Sequence, residues 1–214
     1  MPVEQLGDSG ARYLAIIAGK LSQKVTAETE WAVKREYDVD GNKGEKWELH
    51  YKNLRGFITE MVFKQSDYGE MFSVKIEKDW EIDILTMWTD SRYFSDFWRK
   101  LKNIDLTKEV VMNPYDFENN WKQIRGLSIT QEWNKIEDAY YDWEKKKALN
   151  WMPDVSEADR KKYDKDDWKI YFTTVKKFLK SEIQKVELPW WVETDTRVTT
   201  AEDIFNWEDD VKPF

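Results

Sequence analysis

The sequence predicts a mainly β fold with α additions, and three observations lead there. Apolar and polar residues alternate strictly through Met71–Glu77, with Phe72, Val74 and Ile76 on one face and Ser73, Lys75 and Glu77 on the other. Glu81–Trp88 repeats the period, placing Ile82, Ile84, Thr86 and Trp88 on one side. A period of two marks a half-buried antiparallel strand. Between these runs lie turn signals, Gln65-Ser66-Asp67-Tyr68-Gly69 and Lys78-Asp79-Trp80.

The elements follow in order. Arg12–Val25 carries Tyr13, Ala15 and Ile17 in alternation and is in part a strand; Thr29–Tyr37 is a second candidate. Asp38–Gly44 turns the chain back. A calcium loop needs Gly at its sixth position and Glu at its twelfth, where Lys43 and Leu49 stand, so this is a plain hairpin turn. A leading strand spans Lys46–Lys52. Five strands then run Arg55–Phe63, Met71–Glu77, Glu81–Trp88, Lys108–Asn113 and Gly126–Trp133, with a helix at Ser91–Lys102 after the third. Gly56 inside the first implies a bulge or bend. Phe94, Phe97, Trp98 and Leu101 form the helix's core stripe, leaving Arg92, Arg99, Lys100 and Lys102 outside. Pro114–Arg125 is expected as a loop. Three meandering strands, a helix and two more strands is the order of a five-stranded OB-fold barrel. Extra strands lie before it and helices after it.

Beyond the barrel, Glu137–Met152 is expected to be partly helical, with Lys145, Lys146 and Lys147 beside aromatics. Ser156 and Asp159 start a short helical turn. Asp166–Val186 is an amphipathic helix with Trp168, Tyr171, Phe172, Val175, Phe178, Leu179 and Ile183 at helical spacing. It is expected to pack on the barrel; a homodimer interface is the second reading. Three regions result: 1–135, the barrel with its N-terminal strands; 136–190, a helical extension; and 191–214, an acidic tail.

Composition narrows the function classes. The 214 residues include 13 Trp and no Cys, so neither a disulfide nor a thiolate metal site is expected. No basic segment followed by an apolar run opens the chain, and no apolar run spans a bilayer, so a cytoplasmic protein without membrane contact is expected. Net charge is -8, of which Glu193–Phe214 supplies -5 through seven acids and two bases, leaving -3 for the body. Nucleic-acid binding must therefore rest on local cations and stacking. Enzyme readings find no support. His50 is the lone histidine, no GxxxxGK loop exists, and no Glu-x-Lys follows Pro153-Asp154. No cofactor or metal is expected.

The tail ends Glu208-Asp209-Asp210-Val211-Lys212-Pro213-Phe214. Acids before Pro-Phe form a docking peptide whose ring enters an apolar pocket while the acids meet Lys or Arg. Together with the strand order over Arg55–Trp133, this tip resembles the single-stranded DNA-binding proteins, particularly the phage-type ones. The resemblance implies non-specific coating of unpaired DNA in replication, recombination or repair. It also implies recruitment of partner proteins through Glu208, Asp209, Asp210, Pro213 and Phe214. Lys212 departs from the bacterial tip, the usual long linker is missing, and Glu137–Val186 has no counterpart there, so tetrameric assembly is not carried over. The candidate DNA contacts are Phe63, Lys64, Tyr68, Lys75, Trp80, Trp88, Arg92, Tyr93, Trp121, Lys122 and Arg125, aromatics for stacking and cations for phosphates. The alternatives are an acidic OB-type module that binds protein or sugar, and a DNA mimic that binds DNA-processing enzymes.

Overall fold

The computed structural model describes residues 10–39 and 42–189. The tip residues Glu208, Asp209, Asp210, Pro213 and Phe214 lie outside them. The described chain is mainly β. In order the strands are β1 (Ala11–Ile17), β2 (Lys20–Val25), β3 (Val33–Val39), β4 (Asn42–Tyr51), β5 (Leu54–Ser66), β6 (Gly69–Lys78) and β7 (Glu81–Trp88). Helix α1 (Arg92–Leu101) follows, then β8 (Val110–Asn119), β9 (Lys122–Gln131), β10 (Asn134–Lys135), β11 (Tyr141–Asp142) and β12 (Lys147–Ala148). Helices α2 (Glu157–Arg160) and α3 (Lys165–Gln184) complete the set.

Ten strands form one mixed sheet in the order β10-β9-β8-β5-β6-β7-β1-β2-β4-β3, and β11 pairs with β12. The parallel pair is β1 with β7, from Ala11↔Ile82 to Ala15↔Thr86. A closed five-stranded barrel is not what the ladders show. Among the described residues β9 does not pair with β7; the N-terminal β1 lies there instead. The sheet still curls. β5 pairs with β8 over Leu54–Gly56 and with β6 from Phe57 onward, so it changes neighbour at Gly56. A Cβ on Gly56 would stand 2.6 Å from the Glu77 carbonyl oxygen, at a φ of +157°. Glycine therefore permits this close approach. At the other end of the curl the β1–β2 turn seats on β8. Gly19 has φ +74°, its absent Cβ would fall 2.3 Å from the Asp116 nitrogen, and its N–H donates to the Tyr93 hydroxyl at 3.1 Å.

The core lies inside this curl. Phe72, Val74 and Ile76 of β6 are buried against Leu85 and Met87 of β7 and Phe94, Phe97, Trp98 and Leu101 of α1. Phe72, Phe94 and Phe97 meet in edge and tilted contacts at 5.2 and 5.6 Å. The outer face of β6 is partly covered, with Ser73 buried and Lys75 and Glu77 half-buried. Ser73 is buried and its hydroxyl lies 3.2 Å from Thr86, while Lys75 pairs with Glu77 at 2.8 Å. On β7 the residues that join the core are Leu85 and Met87, while Ile82, Ile84, Thr86 and Trp88, on the other face, are half-buried.

Two expectations after β7 are corrected. Pro114–Arg125 is not a loop: β8 and β9 run through it to a two-residue turn at Asn120-Trp121, closed by Asn119↔Lys122. Pro114 fits because β8 pairs with β5 only as far as Met112, so no second ladder needs its missing N–H. Glu137–Met152 is not helical. It wraps α1, held by Ala139 N–H to the Arg99 carbonyl at 2.7 Å, and carries the short β11–β12 pair. This wrap buries Lys100, which pairs with Asp138 at 3.3 Å, and sets Arg99 between the rings of Trp98 and Trp143. Those two side chains are thus not on the helix's free surface.

Ser156 caps α2, its hydroxyl accepting from Asp159 N–H at 3.1 Å. Asp164 caps α3 in a capping box with Asp167. α3 buries Val175, Leu179 and Ile183, one residue per turn, in the same core as α1. Ile170 and Phe172 remain exposed on it.

Candidate nucleic-acid interface

Three of the predicted contacts converge. The turn between β8 and β9, the β9 strand and the first residue of α1 enclose an open groove of about 660 Å³ that Arg92, Lys122 and Arg125 line. The local sequence explains the placement. Ser91 caps α1 through Phe94 N–H at 3.2 Å, fixing Arg92 at the helix start. Asp96, one turn on, is buried and acts as the hinge of the site. Its carboxylate accepts from the Leu127 backbone at 3.0 Å and from Arg92 at 3.2 Å. Helix start and strand β9 are thus tied to one side chain. Asp116 does the same across the hairpin, accepting from Arg125 Nε at 2.9 Å and from the Gln123 amide. Among the described residues Lys122 has no carboxylate partner. An incoming phosphate meets one unpaired cation and two cations already held in place.

Trp121 stands at the tip of the hairpin, 95% exposed. Phe117, opposite Ile124 in the ladder, is half exposed and its ring lies 5.9 Å from that of Tyr115. With Lys122 it shares one face of the hairpin, since residues two apart on a strand and their direct partners point the same way. Sequence reasoning set Phe117 among loop residues and gave it no role. Asp96 and Asp116 were also missed: the Leu127 partner of Asp96 lies 31 residues on, and Asp116 meets Gln123 and Arg125 only because the segment expected as a loop is a hairpin.

The other predicted contacts do not reach the groove. Phe63 packs on Phe72 at 4.9 Å and Phe94 at 6.1 Å, with the Lys180 ammonium of α3 over its ring at 4.8 Å. It is half-buried and packs against the core. Lys64 is half-buried, and desolvation holds its pKa below the ordinary lysine value despite Glu60 nearby. Lys75 is engaged by Glu77. Trp88 lies against the β5–β6 turn, its ring 3.5 Å from where a Cβ on Gly69 would stand. Tyr68 is exposed at that same turn. Trp80 projects fully into solvent before β7, whereas Arg92 follows it, so the strand's eight residues, roughly 25 Å, separate Trp80 from the groove. Tyr93 is committed to the Gly19 contact. Burial and then the Asp116 charge raise its phenol above the ordinary value, against the opposing hydrogen bond from Gly19.

A second polar cluster lies across the sheet. Glu48, 1% exposed, accepts from Ser22 Oγ at 2.8 Å and Arg35 Nε at 2.7 Å, with His50 Nε2 at 3.2 Å. The serine hydroxyl donates to this carboxylate, and His50, its cross-strand partner, meets the same carboxylate oxygen. Among the described residues no group of three or more His, Cys, Asp or Glu is placed to hold a metal ion, and no helix is long and apolar enough to cross a membrane. Compared with protein-family models, curated proteins and solved structures, the chain matches none.

Proposed function

We propose that this chain binds single-stranded DNA without sequence preference, along the β8–β9 hairpin. The observation that carries the reading is the groove that Arg92, Lys122 and Arg125 line, with the half-exposed Phe117 on the Lys122 face of the same hairpin and Arg125 on its other face. Every base has a π-face, so an exposed ring grips unpaired bases at ~1–3 kcal/mol each whatever their identity. The cations follow the phosphates. The order of meander, helix and hairpin, with β5 paired to β8, supports an OB-like barrel that has admitted β1 beside β7. In this reading the acids and Pro213-Phe214 of the tail recruit replication or recombination proteins.

Fluorescence anisotropy of labelled oligo-dT at two salt concentrations tests the proposal. Binding that weakens as salt rises supports it, because displaced counterions make phosphate contacts salt-dependent. The net charge of -8 favours the rival, a DNA mimic that binds DNA-processing enzymes. No binding at low salt, with a polymerase or nuclease retained on the immobilised protein, would establish that rival instead.

A further inference from the structure

Four hairpin turns in the large sheet share one backbone geometry. They are closed by Ile17↔Lys20, Lys78↔Glu81, Asn119↔Lys122 and Gln131↔Asn134. Both central residues of each have positive φ. The values are +46° and +74° at Ala18-Gly19, +51° and +71° at Asp79-Trp80, +48° and +62° at Asn120-Trp121, and +48° and +70° at Glu132-Trp133. This pattern is the type I′ turn, whose twist suits a hairpin and whose second position belongs to glycine, as in Asn-Gly and Asp-Gly. Here the second position holds glycine once and tryptophan three times. Asn150-Trp151 repeats the pair at +51° and +62°, and Trp31 has φ +67°.

Tryptophan is among the worst residues for such a place. In the left-handed region Cβ crowds the following carbonyl oxygen, and a bulky side chain there is an outlier. No burial compensates. Trp31 is 83% exposed, and Trp80, Trp121, Trp133 and Trp151 are all 95% or more. Trp98, by contrast, has no positive φ and is 2% exposed in the core. Glycine is scarce as well, 8 in 214 residues, about half the ordinary share of roughly 7%. The residues before the five tryptophans are Asp, Asn or Glu, the company glycine keeps in turns.

We infer that positions 31, 80, 121, 133 and 151 are glycine in the polypeptide its own cell makes, and that the codon at each is UGA. That triplet is assigned to tryptophan in some cells and to glycine in others. A gene whose cell decodes UGA as glycine yields the present sequence when the triplet is read as tryptophan. The DNA-binding reading stands apart from this, since it rests on Phe117 and the three cations, not on the ring of Trp121.

The gene and the native protein decide it together. The expected result is UGA at the codons of Trp31, Trp80, Trp121, Trp133 and Trp151 and UGG at that of Trp98. Peptides from the protein purified from its natural source then show glycine masses at the five turns. UGG codons there, or tryptophan masses in the native peptides, overturn the inference. The recombinant chain tests the strain itself. Combining Trp80→Gly, Trp121→Gly, Trp133→Gly and Trp151→Gly is expected to raise Tm by roughly 10 °C. An unchanged or lower Tm refutes the argument on which the inference stands.

Discussion

Single side chains hold this fold in register, and two of them show how. Gly19 is required twice over, by its φ of +74° and by the Asp116 nitrogen that a Cβ would strike at 2.3 Å. Gly19→Ala is therefore expected to lower stability by about 2–4 kcal/mol, read as a fall in the urea midpoint. The turn would also lift from β8, taking the Tyr93 hydrogen bond with it. Glu48 governs the acid limit. Burial pushes its pKa up, but the hydrogen bonds from Ser22, Arg35 and His50 outweigh burial, and the net value lies below 4.5. A carboxylate with a depressed folded pKa contributes stability that is complete above pH 4.5 and lost as pH falls through the folded value. The urea midpoint is expected to decline in that acid window, and Glu48→Gln to flatten the decline. An equally steep decline in the variant would show that other carboxylates set it. Most of these pairings were not legible in the sequence, because Tyr93 comes to Gly19 from α1 and Ser22 and Arg35 come to Glu48 from β2 and β3, while His50 alone shares β4 with Glu48.

At the scale of elements, what the sequence predicted correctly is what obeys a period. β6, β7, α1 and α3 were found because their apolar residues recur at two or at three and four; α1 starts at its expected Ser91 cap, and α3 is capped by Asp164, two residues before the expected Asp166. The β8–β9 hairpin was missed for a specific reason. Its turn is Asn120-Trp121, and a tryptophan in the place of glycine removes the strongest short-range hairpin signal. Glu137–Met152 was expected to be partly helical, and its Glu, Lys and Ala do favour helix, but its backbone is spent on α1 and its Asp142 caps the Glu144 and Lys145 amides. Tertiary contacts override propensity there. The docking of α3 follows from its stripe: Leu179→Ala removes a 4%-exposed side chain from the α1–α3 contact and is expected to cost about 2–4 kcal/mol. Chemical denaturation measures this. A loss under 1 kcal/mol would mean that α3 lies on the sheet without anchoring to it.

The chain is acidic overall, and among the described residues three cations line a small groove, a contrast that shapes its expected behaviour. With a net charge of -8, long-range attraction to a polyanion is unfavourable, so the proposed DNA affinity has to come from contacts made at the groove itself. Two kinds of contact are separable by experiment. Phosphate contacts set the slope of log affinity against log salt, at about 0.7 per phosphate for single strands. Stacking sets affinity at a given salt and leaves that slope alone. The most direct measurement is the salt dependence of oligo-dT affinity for the intact chain, Lys122→Ala and Phe117→Ala. The account predicts a slope shallower by about 0.7 for Lys122→Ala, and an unchanged slope with affinity lower by about 1–3 kcal/mol for Phe117→Ala. Slopes and affinities identical in all three proteins would place the strand elsewhere and contradict it.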